Sequence, residues 1–254
     1  MPRQIKRYGW VPDLPDQRDL IYAAPFEQID VLPPNIDLRP NCPPVYDQGH
    51  LGSCTANSIA AAFEFDEMKQ NLPQVFVPSR LFIYYNERVI EGDVTCDNGA
   101  QIRDGMKSIG TQGVCPEDMW PYDITRFTDQ PPANCYQAAL QNKAIVYQRV
   151  VRDLNQMKGC LASGYPFVFG FTVYESFESQ TVAQSGHAPM PAPSEKALGG
   201  HAVLAVGYDD AQQWFIVRNS WGTNWGMQGY FTLPYNYLLQ RNLSSDFWTI
   251  RLVQ

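Results

Sequence analysis

The residue of this chain best placed for nucleophilic chemistry is Cys54, which follows the glycine-punctuated loop 48–53. From Cys54 onward the apolar residues fall three and four positions apart as far as Phe63, and this spacing predicts a helix with one buried face. The thiol then lies on the first turn of the helix, where the peptide dipoles favour the thiolate. A thiolate nucleophile still needs a base to complete an acyl-transfer site.

Three histidines are available as that base. His50 lies on the same tight loop as Cys54, and His187 lies in a proline-rich insertion, residues 181–198. His201 opens an apolar strand behind two glycines, and a rigid strand end is the better mount for a catalytic base. An imidazole that presents one nitrogen to a thiol needs an acceptor at the other nitrogen, and the amide oxygen of Asn219 is the candidate.

Two tryptophans follow Asn219, at positions 221 and 225. Spaced by glycines, they are suited to cover a hydrogen bond between His201 and Asn219 and to exclude water from it. They are equally typical of an ordinary aromatic core, and the residues alone leave both interpretations open.

The elements that hold these residues divide the chain in two. Helical patterns dominate the first half and apolar strand patterns the second, which predicts an α+β protein with two lobes and a cleft between them. We expect an extended N-terminal arm (1–31), a mainly helical lobe (32–141) and a β-rich lobe (142–254). Helices are predicted from 54 to about 72, at 80–90 with Ser79 as N-cap and Gly92 as stop, and at 102–109, 136–142 and 153–162. Strands are predicted at 144–151, 166–174, 201–208, 214–218, 230–233 and 247–253.

The composition excludes several classes of protein. With 254 residues, 44% of them hydrophobic, and a net charge of -7, the chain reads as globular and is poorly suited to bind nucleic acid. No apolar run approaches the ~20 residues of a membrane helix, and no export signal is evident at the N-terminus. We therefore expect no nucleic-acid or membrane partner and a monomer, either cytoplasmic or exported after removal of a signal.

The six cysteines lack the spacing of a zinc site, so no metal is expected. If one of them is a free nucleophile, five remain, and we expect at most one internal disulfide.

Three motifs resemble those of the papain-like (C1) cysteine peptidases, in the same order and at similar separations. Residues 48–54 resemble the family's Gln-Gly-x-x-Gly-Ser-Cys loop, residues 200–202 its histidine strand, and residues 219–222 its Asn-Ser-Trp-Gly motif. The resemblance extends from about residue 32 to the C-terminus. It implies the papain-like two-lobe fold, in which a helical lobe and an antiparallel β-barrel-like lobe flank the active-site cleft.

The resemblance also implies a role for each motif residue. Cys54 would be the nucleophile, His201 the base and then the acid, and Asn219 the residue that orients His201. Gln48 would donate to the oxyanion together with the backbone N–H of Cys54. The reaction would be peptide-bond hydrolysis by a cysteine endopeptidase through an acyl-enzyme, on peptide or protein substrates and without a cofactor.

Substrate-binding residues are carried over in the same way. The backbone near Asn98 and Gly99 would pair with the peptide as a short antiparallel strand. Residues beside it would border the pocket for the second residue before the scissile bond, whose floor would come from 243–246. The full set is Asn98, Gly99, Ala100, Gln101, Gly200, Ala202 and Trp221.

The chain departs from the family pattern at several points. Thr55 replaces a usual aromatic residue, and Leu51 replaces the loop cysteine that customarily pairs with a cysteine near position 96, so that disulfide cannot form. These departures suggest a divergent bacterial branch that resembles the xylellain-like enzymes.

The arm is much shorter than a usual family pro-domain. Tyr8, Trp10 and Tyr22 are its expected anchors. Either it crosses the active-site groove and restricts access to it, or it packs on the back of the β lobe.

Two other functions are compatible with the same residues. A papain-fold acyltransferase or transglutaminase-like enzyme differs in what attacks the acyl-enzyme. A catalytically silent binding module keeps the fold and loses the reaction.

Overall fold

The computed structural model describes residues 8–254. Within them the strands are β1 Ile21–Tyr22, β2 Asn35–Asp37, β3 Ala144–Val150, β4 Phe167–Tyr174, β5 Ala197–Asp209, β6 Trp214–Arg218, β7 Tyr230–Pro234 and β8 Ser244–Val253. The helices are α1 Phe26–Ile29, α2 Cys54–Lys69, α3 Arg80–Glu91, α4 Ile102–Thr111, α5 Ala133–Ala139, α6 Leu154–Ala162, α7 Gln180–Ser185 and α8 Tyr235–Leu239. Short 3-10 helices cover Arg39–Asn41 and Ile124–Arg126. None of these helices has the length and apolar composition needed to cross a membrane.

The strands form one mixed sheet in the order β1-β3-β8-β4-β5-β6-β7, with β2 also paired to β5. Every pair is antiparallel except β1 with β3. The α+β class predicted from the sequence is confirmed. The sheet differs from the expected barrel in one respect: over residues 8–254 no ladder joins β7 back to β1, so the sheet remains open.

The two faces of the sheet pack into two separate cores. Side chains alternate in direction along a strand, so Val168 of β4 and Leu204 of β5 face the helices α2 to α5. Their neighbours Phe169 and Val203 point to the opposite face, where an aromatic-rich core lies beneath α6 and α8. The sheet is therefore buried on both sides, which makes its strand ends rigid mounts for side chains.

Helix α2 is the element that the sequence described least well. Its apolar spacing predicted one buried face, yet every residue from Cys54 to Glu67 is buried. The helix packs between β5 and β8 on one side and α3 and α4 on the other. Because neighbours surround it, its polar residues are buried as well, and Thr55 donates a 2.6 Å hydrogen bond to Glu87.

Most predicted boundaries agree with the structure within a few residues. The Oγ of Ser79 accepts from the backbone N of Phe82 at 3.2 Å, and Gly92 ends α3 with φ of 85°. The N-cap and stop predicted for that helix are therefore confirmed. The insertion 181–198 contains α7, which the sequence did not indicate.

Different parts of the N-terminal arm follow the two routes that the sequence left open. Gly9 to Val11 lie in the cleft between Ala100 and Gly200, and we call these three residues the cleft segment. Farther on, β1 pairs with β3 at the edge of the sheet, and Tyr22 is buried in the aromatic-rich core. Residues 1–7 of the arm lie outside the described residues.

Candidate active site

His201 and Asn219 are brought together by the pairing of β5 with β6. Leu204 lies opposite Arg218 in that antiparallel ladder, so the residue after β6 reaches back toward the start of the β5 apolar run. The Nε2 of His201 lies 2.9 Å from the Oδ1 of Asn219. The same Oδ1 accepts from the backbone N of Ser220 at 2.8 Å. The hydrogen bond predicted between the two side chains is present, and both residues are buried.

Cys54 is the first residue of α2 and is fully buried. Its thiol contacts the backbone N–H of Ala202, the residue after His201. One turn farther along α2, the Oγ of Ser58 donates to the carbonyl oxygen of Ala202 at 2.9 Å. This bond ties the start of the helix to the histidine strand, so the thiol lies beside the strand that carries His201.

The two tryptophans after Asn219 have different environments. The ring of Trp221 stacks on His201, with centroids 5.0 Å apart and an interplanar angle of 28°. Trp225 packs edge-on behind Trp221 and against Phe231. Trp221 therefore covers the imidazole, as one interpretation predicted, whereas Trp225 belongs to the aromatic core, as the other predicted.

The side chain of Gln48 is fixed at both ends. Its Oε1 accepts from the Oγ of Ser220 at 2.6 Å, and its Nε2 donates to the carbonyl oxygen of Leu51 at 2.9 Å. A primary amide has two N–H bonds, so the bond to Leu51 leaves the second for another acceptor. Because Ser220 directly follows Asn219, this contact joins the Gln48 loop to the segment that carries Asn219.

The protonation of Cys54 differs from the prediction. Burial raises the pKa of the Cys54 thiol to about 12, although backbone N–H groups of Ala202, Gly9 and Thr55 oppose the rise. The helix N-terminus alone was expected to favour the thiolate. Gly9 belongs to the cleft segment, so a backbone N–H of the arm is one of the groups that oppose the rise.

The cleft segment is held by main-chain hydrogen bonds on both walls. The N of Trp10 donates to Gly200 O at 2.9 Å, the N of Ala100 donates to Gly9 O at 2.8 Å, and the N of Val11 donates to Ala100 O at 3.0 Å. The bridge between Trp10 and Ala100 is parallel. Ala100 and Gly200, both predicted to bind substrate, therefore bind the arm.

Tyr8 lies next to this segment and over the histidine. Its ring meets His201 edge-on at 6.1 Å, and its hydroxyl donates to Glu178.

Of the other predicted substrate-binding residues, Gln101 and Gly99 contact the arm, whereas Asn98 does not. The Oε1 of Gln101 accepts from the backbone N of Leu14 at 3.0 Å, so it also binds the arm. Gly99 has a positive φ of 77° and lies against Gly9. The Nδ2 of Asn98 donates instead to Asp93 at 3.2 Å, in an exposed position.

Asp97 has a structural role that the sequence reasoning missed. Both of its carboxylate oxygens lie 3.0 Å from the backbone N of Gly52, and Oδ1 also accepts from the hydroxyl of Tyr84. These bonds link the Cys54 loop to the segment that precedes Asn98. Leu51 is buried and Cys96 is exposed with a free thiol, so hydrogen bonds join the two segments where the family's customary disulfide cannot form.

From the sequence, Asp246 was expected only as one of residues 243–246 at the floor of the pocket for the second residue before the scissile bond. It is buried with φ of 60°, a conformation that non-glycine residues seldom adopt and Asn and Asp adopt most readily. Its Oδ2 lies 3.2 Å from the indole Nε1 of Trp10. An aspartate followed by an apolar strand gives no signal that would have identified this contact.

Comparisons with known proteins agree with the motifs. The sequence model described as papain family cysteine protease matches residues 32–246. An uncharacterized peptidase C1-like protein of Acanthamoeba polyphaga mimivirus is 43% identical over 272 residues, which cover 98% of this chain and 88% of the relative. Cathepsin B-like CP2 of Giardia intestinalis is 30% identical over 228 residues, covering 83% and 73%.

Among solved structures, xylellain, a cysteine protease from Xylella fastidiosa, superposes with a TM-score of 0.93 and 45% identity, covering 99% of this chain and 98% of xylellain. A viral protein is nearly as similar in sequence, so a bacterial origin remains a prediction.

Proposed function

Because the chain belongs to the papain family of cysteine proteases and is a peptide-bond hydrolase, we propose that Cys54, His201 and Asn219 carry out its reaction. The observation that supports this assignment best is the 2.9 Å contact between His201 Nε2 and Asn219 Oδ1. It commits one ring nitrogen to an acceptor and leaves Nδ1 as the atom that exchanges a proton with the thiol.

In the proposed mechanism the Cys54 sulfur attacks the scissile carbonyl carbon while its proton passes to His201 Nδ1. The tetrahedral intermediate collapses, the C–N bond breaks, and the leaving amine takes that proton. Water then attacks the thioester, giving a proton to His201, and the protonated imidazole returns it to the departing sulfur. Each turnover ends with the thiol and the neutral imidazole restored.

Gln48 is proposed as the side-chain donor to the oxyanion, together with the backbone N–H of Cys54. Preorganised donors of this kind stabilise the charge that develops in the transition state. The two hydrogen bonds that fix the amide, to Ser220 and to Leu51, support the assignment because they remove the freedom of the side chain before substrate arrives.

We further propose that the arm, residues 1–31, restrains the activity of the two lobes, 32–141 and 142–254. The cleft segment occupies the main-chain partners Ala100 and Gly200 that a substrate would use. It runs parallel to the segment at Ala100, whereas a substrate is expected to run antiparallel. The reversed direction presents the arm's own peptide bonds in the wrong orientation for attack, which explains how the arm persists in the cleft.

Hydrolysis is favoured over the other two functions. The relatives are described as peptidases, cathepsins and a cysteine protease, and none is described as an acyltransferase or a binding protein. We propose that the enzyme acts as a monomer on peptide or protein substrates, because one chain supplies every group of the mechanism. The net charge of -7 supports the absence of a nucleic-acid partner, and we propose no membrane partner.

Labelling by the epoxide inhibitor E-64 tests the assignment of the nucleophile. One equivalent is expected to attach to Cys54, and the Cys54→Ala variant is expected to remain unlabelled. The experiment includes a Gly9→Ala variant, in which the arm is loosened, so that a closed cleft is not mistaken for an inert thiol. Failure to label Cys54 in both backgrounds would contradict the proposed function.

Comparing the chain with and without residues 1–31 on a dipeptidyl fluorogenic substrate tests the restraint. Equal kcat/KM in a truncation that still folds would contradict it.

A further inference from the structure

The side chain of Trp10 fills a pocket in the wall of the cleft. It is only 8% exposed although it belongs to the arm. A Cβ placed on Gly170 would lie 1.9 Å from the Trp10 ring atom Cε2, and one on Gly200 would lie 2.7 Å from Cε3. The indole therefore fits a space that exists only because both positions lack a side chain.

The floor of this pocket is polar. The Asp246 carboxylate is 2% exposed, and its Oδ2 accepts from the indole N–H of Trp10 at 3.2 Å and from the backbone N of Asp13 at 2.8 Å. Both donors belong to the arm. When the arm leaves, Oδ2 loses both donors and water reaches it. A ligand that refills the pocket without an N–H displaces this water and leaves a buried acceptor without a donor, which is unfavourable. A ligand that restores an N–H at this point is favoured over one of the same shape that does not.

The charges around Asp246 favour a neutral N–H donor over a cationic one. Its Oδ1 is paired with Arg149 Nη2 at 2.8 Å, and this pair stays when the arm leaves. Arg149 also contacts Asp13 of the arm, so the departure of the cleft segment together with Asp13 removes negative charge from beside this arginine. A guanidinium entering the pocket would meet Arg149 and a single carboxylate that is already paired with it.

We propose that the pocket vacated by Trp10 receives the second residue before the scissile bond and selects tryptophan there, through a hydrogen bond from the indole N–H to Asp246. The inference rests on the proposed peptidase function, and it names the substrate class of the same site. The arm then blocks the pocket with Trp10, the same type of side chain that the pocket selects in a substrate.

The test compares dipeptidyl fluorogenic substrates that share arginine next to the reporter and differ only in the preceding residue. Tryptophan is compared with 3-benzothienylalanine, which has nearly the same shape with sulfur in place of the N–H, and with phenylalanine and arginine. Both intact enzyme and the Asp246→Ala variant are assayed. The arm competes equally with every substrate, so ratios of kcat/KM report on the pocket alone.

We expect tryptophan to exceed benzothienylalanine by about tenfold in the intact enzyme, because a site that hydrogen-bonds its ligand discriminates against the analogue without the donor. In Asp246→Ala the ratio is expected to approach one whatever the absolute rates, because the acceptor of the indole N–H is gone. If that variant does not fold, the isostere ratio in the intact enzyme decides alone.

Equal hydrolysis of tryptophan and benzothienylalanine, or faster hydrolysis of the arginine substrate, would overturn the inference while leaving the peptidase function intact. So would an enzyme that E-64 labels but that hydrolyses none of the four. A protein that neither hydrolyses them nor is labelled at Cys54 would instead contradict the proposed function on which the inference rests.

Discussion

The backbone of Gly9 lies against the backbone of Gly52 so closely that a Cβ on Gly9 would come within 1.6 Å of the Gly52 carbonyl oxygen. Gly52 belongs to the loop that leads into Cys54, so this contact seats the arm directly over the nucleophile. Backbone atoms of a loop fixed by Asp97 cannot retreat as a flexible side chain would. Only glycine is therefore compatible with the docked arm at position 9.

Gly9→Ala is predicted to activate the enzyme. The added methyl group cannot fit beside Gly52, so the cleft segment is displaced, and kcat/KM on a dipeptidyl substrate is expected to rise by about tenfold, the effect of weakening docking by about 1.4 kcal/mol. Leu14→Ala is the matched control, because Leu14 is on the same arm and its side chain is 70% exposed. Equal kcat/KM for Gly9→Ala and the control would contradict the restraint.

The pH dependence of Cys54 alkylation is predicted to change with the arm. With the arm docked, burial raises the pKa of this thiol to about 12, and displacement of Gly9 from Gly52 is expected to admit water and lower it. Docked protein therefore binds the proton more tightly than undocked protein, so docking is strongest below the undocked pKa and weakens as pH rises toward 12. Iodoacetamide should react with Gly9→Ala at lower pH than with the intact enzyme. Superimposable rate profiles for the two proteins would show that the arm does not bury the thiol.

Asn219→Ala is predicted to lower kcat more than it raises KM. Without the acceptor at Nε2 the imidazole loses its fixed orientation, and a misplacement of about 1 Å costs on the order of a hundredfold in rate. The pH profile of kcat should shift as well, since the proton of Nε2 loses its partner. Asn224→Ala, at an exposed position of the same loop, is the control. A change in KM alone would indicate that Asn219 serves substrate binding.

Gln48→Glu is predicted to reduce kcat by about a hundredfold or more, in line with the loss of one oxyanion donor. Glutamate keeps the shape and the oxygen that accepts from Ser220, but it removes the N–H donors. Because one of those donors also binds Leu51 O, thermal unfolding must be measured in parallel. An unchanged kcat in a variant of native stability would exclude Gln48 from the oxyanion site.

The residues of the reaction were predictable because their signals are local. Cys54 follows its own glycine loop, and His201 and Asn219 each flank an apolar strand whose pattern is evident within a few residues. The pairing of β5 with β6 then brings the two side chains together. Ser79 and Gly92, which begin and end α3, were predictable for the same reason.

The features that the sequence did not predict depend on distant contacts. Trp10 and Asp246 are separated by 236 positions, and neither has a neighbour that indicates the other. Asp97 was missed because its partner, Gly52, contributes only a backbone N–H. The burial of α2 on all sides depends on which elements surround it, and the Cys54 pKa depends on the arm that covers it. In each case the physical cause lies in packing between segments far apart in the chain.

The pairing of β1 with β3 has a consequence for how the enzyme is restrained. Leu20 and the two residues of β1 are hydrogen-bonded to the sheet edge, so the cleft segment is tethered through a linker of eight residues, 12–19. Displaced from the cleft, it remains at an effective concentration on the order of millimolar. It therefore competes with substrate to the same degree at any dilution of the enzyme. Such competition raises the substrate concentration needed for half-maximal velocity and leaves the maximal velocity unchanged.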